Sequence, residues 1–509
     1  MHLGSPGLSM IAKNGDRGLP EVFVSTAETS MAVRRLVAQG AVRKIGPRLY
    51  TPNQRDSPES IIGRNLWQVI GLLFPGTVVS HRTALTQKPT PRGTVFLTGR
   101  HSRTAQIPGA TIRILKGAGP LEGDNPYLES LFMASEARAL LECLSLARAR
   151  GDEASVVPRA EVETILERRL SFRGEQWING VRDHARRIAP ELGMEHALEK
   201  LDRITGALLG TRKARLHART AIARAAGAPY DAARLDRFRK LADALRSWPT
   251  VDRSDPVIRG PAFQNLAFFD AYFSNFIEGT EFELAEAQEI VFGNRIPVAR
   301  PADAHDVLGT FRLVSSSHDM GQSAALLADD FPAFRALLET WHETMLHARP
   351  ETQPGRFKEV ANRAGDTFFV TPELLVGTMT RGLSILPSLA DPFQRAVYMM
   401  FFIAETHPFN DGNGRLARAM MNAELIAGSQ RRIIIPTAFR DDYLGGLRRL
   451  TRHDDPRTLI QVLDFAQRFT AAIDFRNLEE AELALAECGA FSTGEDARLR
   501  MPRVERPIA

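Results

Sequence analysis

Residues 391–418 dictate a helix that must stop and a second that must start almost at once. "DPFQRAVYMMFFIAETH" (391–407) carries bulky apolar residues that fill one side of a helix expected to be buried. Pro408 disfavours α conformation at the residue before it, so this helix ends at His407 and leaves the imidazole at the chain's turn. Asp411-Gly412-Asn413-Gly414 permits the positive φ angles of a concave run of backbone N–H groups. A second helix is predicted from about Gly414-Arg415 through "LARAMMNAELIA", stopping at Gly428. Arg415 and Arg418 lie three apart on its first turn and share a face. Two cations at the positive end of a helix dipole cost stability unless an anion sits between them. Loop glycines feeding a helix N-terminus make such an anion pocket. Asp411 is a hard oxygen donor able to hold Mg²⁺ on a polyphosphate. His407 is suited to take a proton from a hydroxyl nucleophile. Taken singly, these are a packed histidine, a turn and two ion-pair partners. Joined in twelve residues, they favour a site.

The other features bound the setting. The chain has 509 residues, 44% hydrophobic and 25% charged, the profile of a globular protein of several domains. Cys143 and Cys488 give no disulfide framework and no metal spacing, which suits a reducing, cytoplasmic location. The first twenty residues lack the apolar core of a signal peptide, and runs such as "VYMMFFIA" are too short to span a membrane. A net charge of +5 permits nucleic-acid or nucleotide partners.

Residues 1–18 read as a disordered tail. In 19–55, Ser30 is placed to cap a helix through Met31, Val33, Leu36 and Val37, followed by a hairpin around Gly46-Pro47. That is the outline of a winged helix-turn-helix. Arg34, Arg35, Arg43, Lys44 and Arg48 are its candidate DNA contacts, because phosphate neutralisation supplies most non-specific affinity. Residues 56–120 read as a small β-rich domain with "TVVSHRTAL", "GTVFLTG" and "ATIRILKG" as its strands. A helical middle region, 121–250, opens at "PYLESLF", and the prolines of 248–262 suggest a linker. Residues 251–475 read as mostly helical, and 476–509 as a charged, partly mobile tail.

"HPFNDGNGRLAR" resembles the Fic motif, His-x-Phe-x-Asp/Glu-Gly-Asn-Gly/Lys-Arg-x-x-Arg, at every defined position. The resemblance implies a fold class that is mainly α. A helical Fic domain with a small β-hairpin flap follows an α+β winged-helix-like region and a helical middle segment. It further implies an Mg²⁺-dependent enzyme that moves AMP from ATP to a protein hydroxyl. Within it His407 is the general base, Asp411 the Mg²⁺ ligand and Phe409 the anchor of the loop. Gly412, Asn413 and Gly414 cradle the phosphates, and Arg415 and Arg418 hold the outer ones. The kinase-like Doc branch carries lysine where this chain has Gly414, so glycine favours nucleotidyl over phosphoryl transfer.

"SNFIEG" (274–279) resembles the family's inhibitory motif, Ser/Thr-x-x-x-Glu-Gly/Asn. Ser274 and Glu278 share a helix face that Gly279 ends, and Thr280 with Glu283 reads as a capping box restarting a helix. The resemblance pairs Glu278 with Arg418. "NRAGDTFFVTP" reads as a hairpin around Gly365-Asp366. In Fic enzymes this flap, here Asn362, Gly365, Thr367, Phe368 and Phe369, docks a target strand. Arg356 and Lys358 read as structural or solvated. The first 240 residues loosely resemble AbiEi-type antitoxins, which are DNA-binding regulators. The partners implied are ATP, a hydroxyl-bearing target protein and DNA, with no membrane. A homodimer, the choice of nucleotide, a nucleotide-sensing role and AMP removal in place of addition all stay open.

Overall fold

The computed structural model describes residues 19–128, 130–145, 153–255, 257, 259–494 and 497–502; the stretch read as a disordered tail, 1–18, lies outside them. The chain divides into two compact units, Met1–Gly227 and Ala228–Ala509.

In the first unit, strands Phe23–Val24, Leu49–Thr51 and Arg43–Gly46 form an antiparallel sheet in that order. Helix Ser30–Ala38 buries Val33 against Phe23 and Val42. Ser30 is not its cap. The helix starts at Ser30 with Thr29 before it, and the Ser30 hydroxyl donates to the Ala27 carbonyl at 3.0 Å. The hairpin closes with Gly46 paired to Leu49, so Pro47 and Arg48 form the turn.

A second, mixed sheet orders Arg103–Ile107, Ala110–Lys116, Thr94–Gly99, Val78–Val79, Leu131–Met133 and Asn125–Tyr127. Two sequence expectations fail here. "HRTALT" is a helix, His81–Thr86. "PYLESLFM" contributes strands, because Phe132 and Met133 pair in parallel with Val78 and Val79, and helix begins only at Glu136. Tertiary pairing overrides local propensity there. Helices Glu136–Leu144, Arg159–Leu192, Glu195–Leu208 and Arg219–Ala225 share one apolar core with this sheet.

The second unit begins upstream of the proline-rich stretch. Its first helix, Ala232–Arg246, packs Phe238 edge-on against Tyr398, Phe401 and Phe402. At the centre, helix Pro392–Thr406 lies against helix Asn413–Ala427. Asp391 caps the former in a capping box with Gln394, and Pro392 fills the first helical position. Val397 through Ile403 are all fully buried, as an all-apolar helix surface requires. Helices Pro261–Ile277 and Phe331–Leu346 flank this pair, and Arg363–Ala364 with Thr367–Phe368 form a short hairpin. The expected Thr280–Glu283 capping box does not form. The Thr280 N–H instead donates to the Asn275 carbonyl at 3.1 Å, closing the preceding helix, and the next begins at Leu284. The stretch read as a tail also contributes a helix, Leu478–Glu487. Ala481, Leu485 and Cys488 on one face enter the core.

No helix among the described residues is long and apolar enough to cross a membrane. Cys143 and Cys488 are both buried and unpaired with each other.

Candidate active site

The buried helix ends where Pro408 requires. His407 takes the left-handed conformation, with φ of 49°, and turns its ring out of the helix line. The loop that follows braces itself. Phe409 is fully buried and stacks on the His342 ring at 3.9 Å. Its N–H donates to Asn413 Oδ1 at 2.9 Å, and Asn413 Nδ2 donates back to the Phe409 carbonyl at 2.9 Å. The Asn413 amide thus ties the loop shut rather than reaching outward. Gly412 sits at φ of 71°, and a Cβ there would lie 2.5 Å from Leu346, so only glycine fits.

His342 was not legible as a site residue. It is a lone histidine on a helix face, and only the fold reveals its use. Its Nδ1 accepts the Gly355 N–H at 3.0 Å, which leaves Nε2 to donate to the Asp411 carbonyl at 3.0 Å. Burial holds its pKa down at about 4, so the ring is a neutral brace.

The two motif arginines have different fates. Arg415 is buried and ion-paired to Asp306 at 3.0 Å, with Nη1 donating to Asn275 Oδ1 at 3.1 Å. Asp306 also holds Arg349 at 3.0 Å, and the Asp411 carboxylate lies 3.9 Å from Arg415. Arg415 therefore has its charge balanced within the scaffold. Arg418 faces a cavity of about 520 Å³ that His407, Gly414, Glu278, Phe369 and Tyr443 also line. Its guanidinium is held through Nε and Nη2. Nε donates to Ser274 Oγ at 2.8 Å, and Nη2 to the Ser274 carbonyl at 2.9 Å and to Glu278 Oε1 at 2.7 Å. Glu278 is the C-cap of helix Pro261–Ile277, and Gly279 follows at φ of 91°. A Cβ on Gly414 would stand 2.1 Å from Glu278 Oε1, so this glycine leaves the space that the carboxylate occupies.

The hairpin lies over His407. Phe369 stacks on the imidazole at 3.7 Å and 5°. Asn362 Nδ2 donates to the Phe409 carbonyl at 2.9 Å, fixing the hairpin's base. Thr367 is half-buried and Phe368 exposed, with Gly365 in the turn. Burial pushes the His407 pKa down to about 4, and the Lys358 cation acts in the same sense. Lys358, read from the sequence as structural or solvated, is buried and structural. Its Nζ donates to Asn362 Oδ1 at 2.7 Å, its N–H donates to the Pro408 carbonyl at 2.8 Å, and burial lowers its pKa to about 7. It ties the hairpin to the loop.

The side chain of Asp411 is well exposed, and its Oδ1 accepts the Gly412 N–H at 2.7 Å. Among the described residues no three His, Cys, Asp or Glu side chains cluster as a metal cage. One exposed carboxylate fits Mg²⁺ only in the mode where substrate phosphates and water complete the shell.

Of the five N-terminal cations, Arg43 spends its guanidinium on the Asn53 and Asp56 carbonyls, and Arg48 donates to the Ser25 carbonyl at 3.3 Å. Arg34, Arg35 and Lys44 are exposed.

The site defines a class: a helical domain that sets a neutral imidazole beside an arginine-lined cavity at a helix N-terminus. The chain belongs to the Fic/DOC family, whose sequence pattern matches residues 334–425. A Fido domain-containing protein of Dictyostelium discoideum is 31% identical over 105 residues, covering 19% of this chain and 73% of that protein. A protein adenylyltransferase Fic of Nematostella vectensis is 29% identical over 235 residues, 45% of this chain; the match spans 52% of that relative's length. The solved structure of Fic-1 (residues 134–508) from C. elegans aligns over 64% of this chain and 98% of its own, with 14% identity and a TM-score of 0.34.

Proposed function

We propose that the second unit is a protein adenylyltransferase that moves AMP from ATP to a serine, threonine or tyrosine hydroxyl of a target protein, restrained by Glu278. One observation carries this reading: His407 and Arg418 face the same cavity, and Glu278 occupies Arg418 at 2.7 Å. In the reaction the hydroxyl oxygen forms a bond to the α-phosphorus, the bond from that phosphorus to the bridging oxygen breaks, and pyrophosphate leaves. The hydroxyl proton passes to His407. Its Nδ1 lies 3.4 Å from the Ala404 carbonyl; with the ring's proton there, Nε2 keeps the lone pair that accepts. Burial keeps the imidazole neutral at pH 7, and a polyphosphate entering the cavity raises its proton affinity. Asp411 would hold Mg²⁺, which when bound neutralises phosphate charge. Arg418, once freed of Glu278, is placed for the terminal phosphate, while Arg415 fixes the loop through Asp306. The relatives named as adenylyltransferases support ATP as the substrate.

The test uses Glu278→Gly and Glu278→Gly/His407→Ala proteins with Mg²⁺ and ATP, GTP, CTP or UTP, read by intact mass. Gain of one AMP residue by the single variant and none by the double variant is the expected result. No adduct with any nucleotide, on the protein or on added lysate proteins, rejects it and favours nucleotide sensing or AMP removal. For the first unit we propose duplex DNA as a partner, supported by the exposed Arg34, Arg35 and Lys44.

A further inference from the structure

We propose that Arg234, on the first helix of the second unit, is the positioning residue that sets the flap over His407. It lies 100 residues ahead of the segment that matches the family pattern. Arg234 forms an ion pair with Glu405, Nε lying 2.9 Å from Oε1 without hydrogen-bond alignment, and its Nη2 donates to the main-chain carbonyl of Phe368 in the flap. Glu405 is only 2% exposed and stands two residues before His407 on the same buried helix. One planar guanidinium thus bridges the helix that presents the base to the strand that covers it.

Glu405 is held from three sides, which makes it a fixed post. Arg237 donates to Oε1, Thr451 Oγ1 donates to Oε2 at 2.7 Å, and Arg237 Nε also reaches Asp454 at 2.9 Å. The flap itself has little intrinsic stability. Its strands are two residues each, far below what a hairpin needs to stand alone. Its fixed points are Asn362 at the base, the stack of Phe369 on His407, and the Arg234 bond at Phe368. Lys358 supports the flap's base through Asn362, and Arg234 is the tie from a distant helix to the flap's far strand. It also fixes the carbonyl next to Phe369, so the tilt of the ring on His407 depends on it. A lysine ammonium is a point charge that cannot keep the ion pair with Glu405 on one edge while a second nitrogen donates to the Phe368 carbonyl.

The catalytic consequence rests on the adenylyltransferase reading, but the clamp is measurable without it. Trypsin cleavage after Arg363, an exposed flap residue, reports local opening. Full-length wild type, Arg234→Ala, Arg234→Lys and Arg237→Ala are compared by fragment mass and by thermal unfolding. Loss of a charge-assisted hydrogen bond predicts cleavage about tenfold faster or more in both Arg234 variants. Arg237→Ala removes a cation from Glu405 but touches no flap atom, and its cleavage rate stays within about twofold of wild type at the same fractional folding. In the Glu278→Gly background, Arg234→Lys lowers automodification about tenfold while the ATP dissociation constant stays within about twofold. Unchanged cleavage in the Arg234 variants overturns the proposal, as does equal loosening by Arg237→Ala, which marks a general structural role. If Glu278→Gly shows no automodification at all, the enzyme reading fails while the cleavage rates still decide the clamp.

Discussion

Replacing Glu278 with glycine should tighten ATP far more than ADP. The Arg418–Glu278 contact is 2.7 Å, with the guanidinium 3% exposed and the carboxylate side chain 32% exposed. A hydrogen bond to a charged group contributes roughly 1.5–3 kcal/mol net. Solvent reaching the carboxylate screens part of that, leaving about 1–2 kcal/mol. If the terminal phosphate must displace Glu278 to reach Arg418, wild type forfeits this amount on binding ATP, and the variant does not. The ATP dissociation constant should therefore fall by about 5–30-fold, since ~1.4 kcal/mol is tenfold. ADP lacks the γ-phosphate, and its constant should move less than about twofold on the same accounting. Calorimetric titration of wild type and variant with each nucleotide, with Mg²⁺ present, measures the ratio. A second reading follows from the same contact. Without Glu278, Arg418 keeps the Ser274 acceptors but loses its counter-charge, so the unliganded variant melts lower and recovers with ATP more than with ADP. Equal tightening of both nucleotides, or none, would refute the claim that Glu278 guards the terminal-phosphate position.

Gly414→Ala should destabilise the protein although alanine is the better helix former by about 1 kcal/mol. Its Cβ would meet Glu278 at 2.1 Å, so the loss should vanish in the Glu278→Gly background; additive melting temperatures across the double-mutant cycle would reject that contact. Keeping His342 neutral makes stability depend on pH. Its folded pKa of about 4 lies below the ordinary 6.5, so its contribution is complete above pH 6.5 and is lost as pH falls toward 4. Urea unfolding of wild type and His342→Gln from pH 7.5 to 4 should therefore converge by about 2–3 kcal/mol, and parallel curves would contradict the assignment. If Arg34, Arg35 and Lys44 meet duplex phosphates, their triple alanine variant should flatten the salt dependence of retardation by about 2–3 in log–log slope. Salt-insensitive or absent binding removes DNA as a partner.

What the sequence disclosed follows the range of the forces involved. The loop, the two flanking helices and the helix end at His407 are governed by Pro408, by Gly412 and by an unbroken apolar run, all local and all readable; the left-handed conformation that His407 adopts there was not. The Glu278–Arg418 pair spans 140 residues and was reached through a resemblance rather than through spacing. Strand Leu131–Met133 was hidden because its partner, Val78–Val79, lies far upstream and nothing in "SLFM" excludes a helix. Thr280 and Glu283 had the spacing of a capping box, but the Thr280 N–H was drawn into ending the helix before it. A short motif marks what a terminus can do; competition with a neighbouring terminus decides which use prevails.

The same distinction separates the two motif arginines, which the sequence placed on one face with one purpose. Arg415 meets a buried aspartate that itself holds a second arginine, so freeing it would strand charges on both sides. Arg418 meets a glutamate at a helix end, one-third exposed, followed by a glycine at φ of 91°. That carboxylate can swing into water at modest cost, and an incoming phosphate replaces its charge. Only the second arrangement can be opened by a ligand. The proposed brake therefore requires that Glu278 be weakly buried: a fully buried partner would have made Arg418 part of the scaffold, as Asp306 makes Arg415.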